Sequence, residues 1–218
     1  MLVVGLTGGV ASGKTEVAKL FARSGATVLE ADPVGHRLLE EDDVKSALLA
    51  SFGSGILDAC GRIDRRVLGS VVFRDDGALS QLNAIVHPPL VGRLRAALED
   101  ARRRPGGIFV LVAALLVDWG LHRDVDQVIA VEASRTVRRE RLMRRLGIGE
   151  QEADRRIESQ ISSSDRRAQA DFVLDGDLPL EIMLASASRV WALLQRELRS
   201  GLQRTVRSAR GGEGNGVA

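Results

Sequence analysis

Eight residues near the amino end, Gly8-Gly9-Val10-Ala11-Ser12-Gly13-Lys14-Thr15, fit the pattern G-x-x-x-x-G-K-[ST] at every fixed position. The chemistry needs those types at that spacing. Glycines let the main chain wrap closely around phosphate oxygens. Successive N–H groups then point at the anion, and the helix that follows adds its positive end. Lys14 is placed to reach β- and γ-phosphates, and the Thr15 hydroxyl to ligate Mg²⁺. The motif predicts binding of a nucleoside triphosphate and leaves the fate of its γ-phosphate open. Asp32 closes the second apolar run of the chain. In parallel α/β folds ligands sit at the carboxyl ends of strands. An aspartate there accepts a proton from an attacking hydroxyl or organises Mg²⁺ and its waters. With Pro33 behind it, the same residue also fits a cap on the next helix.

These residues require a strand, a tight turn and a helix to hold them. Leu2–Leu6 reads as a buried parallel strand, Thr7–Gly13 as the turn, and Lys14–Arg23 as a helix stopped by Ser24-Gly25. Ala26–Leu29 is a second strand, ending at Glu30-Ala31-Asp32, which completes a βαβ unit. Further on, helices are expected over His36–Phe52, Arg65–Phe73, Ala78–Val86 and Leu90–Arg104, the third halted near Pro88-Pro89. Ile108–Val112, Val125–Val131 and Phe172–Leu174 read as strands. Arg135–Arg145, Glu150–Arg167 and Leu180–Leu198 read as helices. The alternation predicts an α/β fold, a P-loop parallel sheet with helices on both faces and an inserted helical subdomain.

The balance of 31 basic against 29 acidic residues leaves a net charge of +2, too small to argue for nucleic acid. A single cysteine, Cys60, rules out an internal disulfide and a cysteine-based metal cage, and reads as a spare thiol beside a turn glycine. The chain carries no apolar run long enough to span a membrane. Its start lacks the basic and apolar segments of a secretory signal, so a cytoplasmic protein is expected. The Gly-, Arg- and Ser-rich stretch 201–218 reads as a disordered tail.

The motifs together are specific. Gly5-Leu6-Thr7-Gly8-Gly9-Val10-Ala11-Ser12-Gly13-Lys14-Thr15 resembles the GLTGG-x-x-SGK-[ST] opening of dephospho-coenzyme A kinases, and Ala31-Asp32 resembles their DAD segment. Phe52-Gly53, Gly61-Arg62-Ile63-Asp64-Arg65, Leu68 and Val72-Phe73 resemble a further stretch of that family. Leu82-Asn83-Ala84-Ile85-Val86-His87-Pro88 resembles its LN-x-(I/L)-x-HP motif. Arg141, Arg145, Arg156-Ile157, Gln160 and Ala170-Asp171 follow in the order and spacing of its C-terminal half. The P-loop is shared by many families, whereas the run from Phe52 to Pro88 is not.

The resemblance implies ATP-dependent phosphorylation of the ribose 3′-hydroxyl of dephospho-coenzyme A, the last step of coenzyme A synthesis. It implies a nucleotide-kinase-like core over about 1–35 and 106–198, a helical substrate domain over about 36–105 and a lid over about 138–168, within one kinase domain of 1–200. By the same match Asp32 is the catalytic base, Lys14 and Arg141 serve the phosphates, and Gly8, Gly9 and Ala11 to Glu16 (Ala11, Ser12, Gly13, Lys14, Thr15 and Glu16) form the ATP loop with Arg145 and Asp175. His87 and Asp118 fall in substrate-binding segments. His36 and Arg37 are candidates to face substrate phosphates, with solvent as the alternative, and Arg65, with Arg62, Asp64 and Arg66, reads either as a substrate-docking patch or as surface salt bridges. The expected cofactors are ATP and Mg²⁺. The expected partner is the small-molecule substrate, with no nucleic acid and no membrane, acting on a monomer or weak homo-oligomer.

Three departures stand out. The family's PLL-x-E segment is Ala114-Leu115-Leu116-Val117-Asp118, Glu30 replaces the first acid of DAD, and Asp175 stands where an asparagine is common. Arg138, Arg141 and Arg145 share a helix face by spacing. Trp119 and Trp191 read as packing residues. A nucleoside or nucleotide kinase, and a nucleotide-binding regulatory module without transfer, are the alternative readings.

Overall fold

Side chains of β1 (Leu2–Gly8) alternate between two cores, and that alternation sets the architecture. Val3 joins one buried cluster, and Leu2, Val4 and Leu6 join the other. The same split recurs in β3 (Ile108–Val112), where Phe109 and Leu111 face one way and Ile108, Val110 and Val112 the other. A sheet buried on both faces needs helices on both. The computed structural model describes residues 1–72, 75–160 and 162–211. Its five parallel strands run in the order β2-β3-β1-β4-β5, with β2 at Thr27–Glu30, β4 at Gln127–Glu132 and β5 at Phe172–Asp175. The phosphate-binding turn therefore leaves the central strand, flanked by the ends of β3 and β4.

One face is covered by α1 (Lys14–Arg23) and α9 (Leu180–Gly211), where Phe21 stacks on Trp191 with ring centroids 5.4 Å apart. The other carries α2 (Ala31–Leu38), α3 (Asp42–Phe52), α4 (Arg65–Val72) and α5 (Asp76–Arg103), whose buried leucines share a cluster with Val3, Phe109 and Leu111. Beyond β4 come α6 (Arg135–Leu146), α7 (Glu150–Glu158) and α8 (Ser163–Ala168).

Several boundaries differ from the sequence reading. Asp32 lies in the first turn of α2 rather than at a strand end, because β2 stops at Glu30. The helix expected over His36–Phe52 is two helices. The chain turns between Leu38 and Asp42, and Glu40 Oε1 accepts the Ile63 N–H at the corner. Pro88 and Pro89 lie inside one continuous helix, α5. Each proline typically costs about 3 kcal/mol there, but Leu90, Leu94 and Leu98 on one side and Leu82, Ile85 and Val86 on the other pack into one core that keeps the axis continuous. The helix expected over Glu150–Arg167 is interrupted, because the Ser162 hydroxyl accepts the Asp165 N–H at 3.1 Å and starts α8 anew. The last helix runs through Gly211, past the tail start expected at 201. One glycine costs a helix only about 1 kcal/mol, and Leu202-Gln203-Arg204 and Arg207-Ser208-Ala209-Arg210 include good helix formers. Phe73 and residues 212–218 lie outside the described residues.

Candidate active site

The cradle is built by close approach. Gly8 has φ 147°, and a Cβ there would lie 2.1 Å from the Val131 carbonyl oxygen, so no larger residue fits between β1 and β4. Gly13, φ 114°, turns the chain into α1 above the Met183 sulfur. It brings no side-chain cap, which leaves the first amides of α1 for an anion. Ala11, φ 61°, is the one non-glycine with positive φ among the described residues. Arg141 holds it there. Its Nη1 donates to the carbonyls of Ala11 and Ser12, both at 3.3 Å, and its Nη2 to the Gly176 carbonyl at 2.8 Å.

Lys14 Nζ donates to the carbonyls of Gly8 at 2.7 Å and Gly9 at 2.9 Å. Burial pushes its ammonium down to about 8. Asp32 is the largest influence pulling the other way, Glu132 pulls up more weakly, and Arg166 and Arg138 push further down. The sign of the pH effect follows. In the free protein Lys14 loses its proton near pH 8 rather than at the ordinary lysine value of 10.5. Folding stability from this group rises between those two values, because only the unfolded chain still holds the proton. Phosphate binding does the reverse, since it needs the ammonium. We expect kcat/KM for ATP to fall tenfold per pH unit above about 8, and kcat to stay flat there because bound phosphates restore the proton. A pH profile of both parameters checks this; a kcat/KM level to pH 9.5 would exclude Lys14 from nucleotide capture.

Asp32 faces this lysine from α2. It lines the same cleft, is exposed, and accepts no hydrogen bond among the described residues, so it is not spent as a cap. The cleft has a volume of about 790 Å³, ample for a small-molecule site. It continues from the cradle past His36 into an apolar chamber formed by Leu39, Leu68, Leu82, Val86, Leu90 and Leu115. Desolvation, then the charge of Arg65, lower the His36 pKa against the pull of Asp32, which sets those three groups close together. His87 meets Trp119 edge-on, with centroids 5.2 Å apart, and its pKa is lowered by burial against the pull of Asp118.

Across the loop, α6 and α7 are cross-linked by Arg135 to Asp154 and Glu158 and by Arg139 to Glu150 and Asp154. Gln160, just beyond α7, accepts the Val10 N–H through Oε1 at 2.8 Å, and Val10 and Ala11 pack against Leu142, Ala153 and Ile157. Behind the loop, Glu132 and Arg166 form an ion pair, each 1% exposed, at 2.7 Å between Nε and Oε1.

Of the residues singled out in the sequence, Ala11, Ser12, Gly13, Lys14, Thr15, Glu16, Asp32, His36, His87, Arg141 and Arg145 line the one cleft. Gly8 and Gly9 lie just behind it as acceptors for Lys14. Arg37, Arg65, Asp118 and Asp175 are not in its lining. Arg65 and Asp118 stand behind His36 and His87, and Asp175 accepts the Asp177 N–H in the turn that carries Gly176. Arg141 and Arg145 reach the cleft while Arg138, on the face predicted to group them, is buried against Gly9. Trp191 packs in the core as read, but Trp119 lines the cleft. Gln160 and the Glu132–Arg166 pair were not read as site residues. The signal for the pair is an acid that directly follows the apolar run 128–131.

A glycine-rich turn from the central strand, a helix opening beneath it and a lysine folded onto its carbonyls define a P-loop kinase fold. Solved structures agree. The chain aligns with TT1252 from Thermus thermophilus at TM-score 0.69 and 30% identity, covering 88% of this chain and 97% of that one. It also aligns with a shikimate kinase from Bacteroides thetaiotaomicron at TM-score 0.53 and 15% identity, covering 89% and 98%. The family model CoaE, dephospho-CoA kinase, matches residues 2–181, and the chain belongs to that family. Dephospho-CoA kinases from Thermobifida fusca and Anaeromyxobacter dehalogenans are each 39% identical to it, the first over 92% of this chain and all of its own, the second over 96% and 98%.

Proposed function

We propose that this chain transfers the γ-phosphoryl group of ATP to the ribose 3′-hydroxyl of dephospho-coenzyme A, giving coenzyme A and ADP in the final step of coenzyme A synthesis. The observation that carries the reading is the pairing of Lys14 with an unengaged Asp32 across one cleft. Phosphoryl transfer asks the protein mainly to position reactants and to neutralise spread negative charge. The loop amides and Lys14 hold the β- and γ-phosphates. Arg141 braces the loop, and Arg145 faces the nucleotide end of the cleft with Gly176, Leu178 and Leu180. Asp32 accepts the proton of the attacking hydroxyl.

Mg²⁺ suits the donor set, since Thr15, Glu30 and Asp32 offer hard oxygen ligands along the cleft wall beside Lys14. Held by these residues, the ion would supply positive charge against the phosphates. On the acceptor side, His36 with Arg65 behind it suits the substrate's phosphates, and the apolar chamber with His87 suits its long uncharged arm. The segment 138–168 then serves as a lid that excludes water, and 36–105 as the substrate domain. Among the described residues no helix is long and apolar enough to cross a membrane.

The test is purified protein with Mg-ATP and a panel of acceptors, with products identified by mass. A gain of one phosphate on dephospho-coenzyme A, and none on nucleosides or nucleoside monophosphates, is expected. Transfer to a nucleoside instead would make it a nucleoside kinase, and ATP binding without any ADP release would make it a regulatory module.

A further inference from the structure

Arg138 is a buried cation with two of its three guanidinium nitrogens lacking an acceptor among the described residues. It sits in the first turn of α6 and is 7% exposed. Its Nε and Nη1 are both buried without a hydrogen-bond acceptor among the described residues, and Glu132, whose charge does act on it, is already bonded to Arg166. Guanidinium N–H groups buried without acceptors are unfavourable, and such groups in folded proteins call for an explanation. Its position supplies one. Nη1 lies against the second glycine of the cradle, so that a Cβ on Gly9 would fall 1.6 Å from it. Any side chain at position 9 would evict the arginine. The space a larger residue would fill is given to a positive charge.

The surrounding charge points the same way. Lys14, Arg138 and Arg166 act on one another behind the loop. Glu132 is committed to Arg166 through two hydrogen bonds and also accepts from the Ser163 hydroxyl. Asp32 stands on the far side of the cleft. The cradle therefore holds more positive charge than its own carboxylates match. Its covering contact, Gln160 on the Val10 N–H, occupies a main-chain donor that a phosphate oxygen can take.

We propose that Arg138 is a further phosphate-binding residue of this loop, whose guanidinium pairs with the terminal phosphates of the nucleotide once Gln160 yields the Val10 amide. The inference rests on the nucleotide reading of the site and goes beyond it by assigning a second cation, beside Lys14, to the same anion. The two buried nitrogens without acceptors are completed by the anion.

Titration calorimetry with inorganic tripolyphosphate, and melting temperatures without ligand, test the proposal on wild type, Arg138→Met, Arg138→Gln and Arg138→Lys. In the Met and Gln variants we expect tripolyphosphate to bind about tenfold or more weakly, the scale of one charge-assisted contact. The ligand-free melting temperature should be equal or higher than wild type, because an unpaired buried charge is gone. The Lys variant should recover part of the affinity. Unchanged tripolyphosphate binding in the Gln variant would overturn the proposal, and so would weaker binding accompanied by a lower ligand-free melting temperature in both neutral variants, the mark of a merely structural residue. Failure of the wild type itself to bind tripolyphosphate would instead remove the nucleotide reading and this proposal together.

Discussion

Lys14→Ala is expected to leave no more than about a thousandth of wild-type transfer, a loss of ~4 kcal/mol in transition-state stabilisation that matches the upper range for removing one preorganised donor. Two effects combine. The ammonium is the one cation held on the cradle carbonyls of Gly8 and Gly9, and without it those two acceptors lose their donor and the turn loosens. The same charge is needed where negative charge gathers on the transferring phosphoryl group. Because the ammonium is already desolvated, it costs little further reorganisation when phosphate arrives, so its removal should cost more in kcat than in ATP affinity. Coupled ADP-release kinetics with dephospho-coenzyme A, alongside calorimetric ATP titration, measure both. Turnover within tenfold of wild type would take the loop out of the reaction. Lys14→Arg is a useful companion. It keeps a charge but replaces a compact ammonium by a planar fork, and it should recover binding more than rate.

The parts of this molecule that were legible in the sequence are those governed by local rules. The cradle was readable because its glycines and lysine act within eight consecutive residues. The central strands β1, β3 and β4 were readable because burial on both faces makes them nearly continuously apolar. What escaped depends on contacts distant in sequence. The prolines at 88 and 89 suggest a break by themselves, and only the leucines arranged along both halves of α5 make the helix continuous. Trp119 looks like any core aromatic until α5 brings His87 against it. Gln160 acts on Val10, 150 positions away, and Arg166 on Glu132, 34 positions away. Spacing rules for a single helix put Arg138 on one face with Arg141 and Arg145. They do not say that Gly9 leaves room for one of the three. The buried polar network thus lies where sequence periodicity carries least information, since each of its members looks like a surface charge or amide when read alone.

The fate of Asp32 separates catalysis from binding most sharply. Asp32→Asn keeps the shape of the side chain, its place in the first turn of α2 and its position on the cleft wall. It removes only the negative charge and the capacity to take a proton. If the carboxylate is the base, kcat with dephospho-coenzyme A should fall by about 10²–10⁴-fold, while the dissociation constant for ATP shifts by no more than about twofold. Any small change in ATP affinity should be toward tighter binding, because a negative charge facing the phosphates is gone. A second consequence follows from the field of Asp32 on Lys14. Asp32 raises the lysine's pKa, so in Asp32→Asn the alkaline limb of kcat/KM for ATP should move to lower pH. A residue that merely caps α2 would produce neither effect. Its loss would lower the melting temperature by the equivalent of about 0.5–2 kcal/mol and leave kcat alone. Pre-steady-state measurement of the chemical step, with the pH profile of the variant, distinguishes the two. An unchanged kcat would return Asp32 to the helix, and the reaction would need its base elsewhere in the cleft.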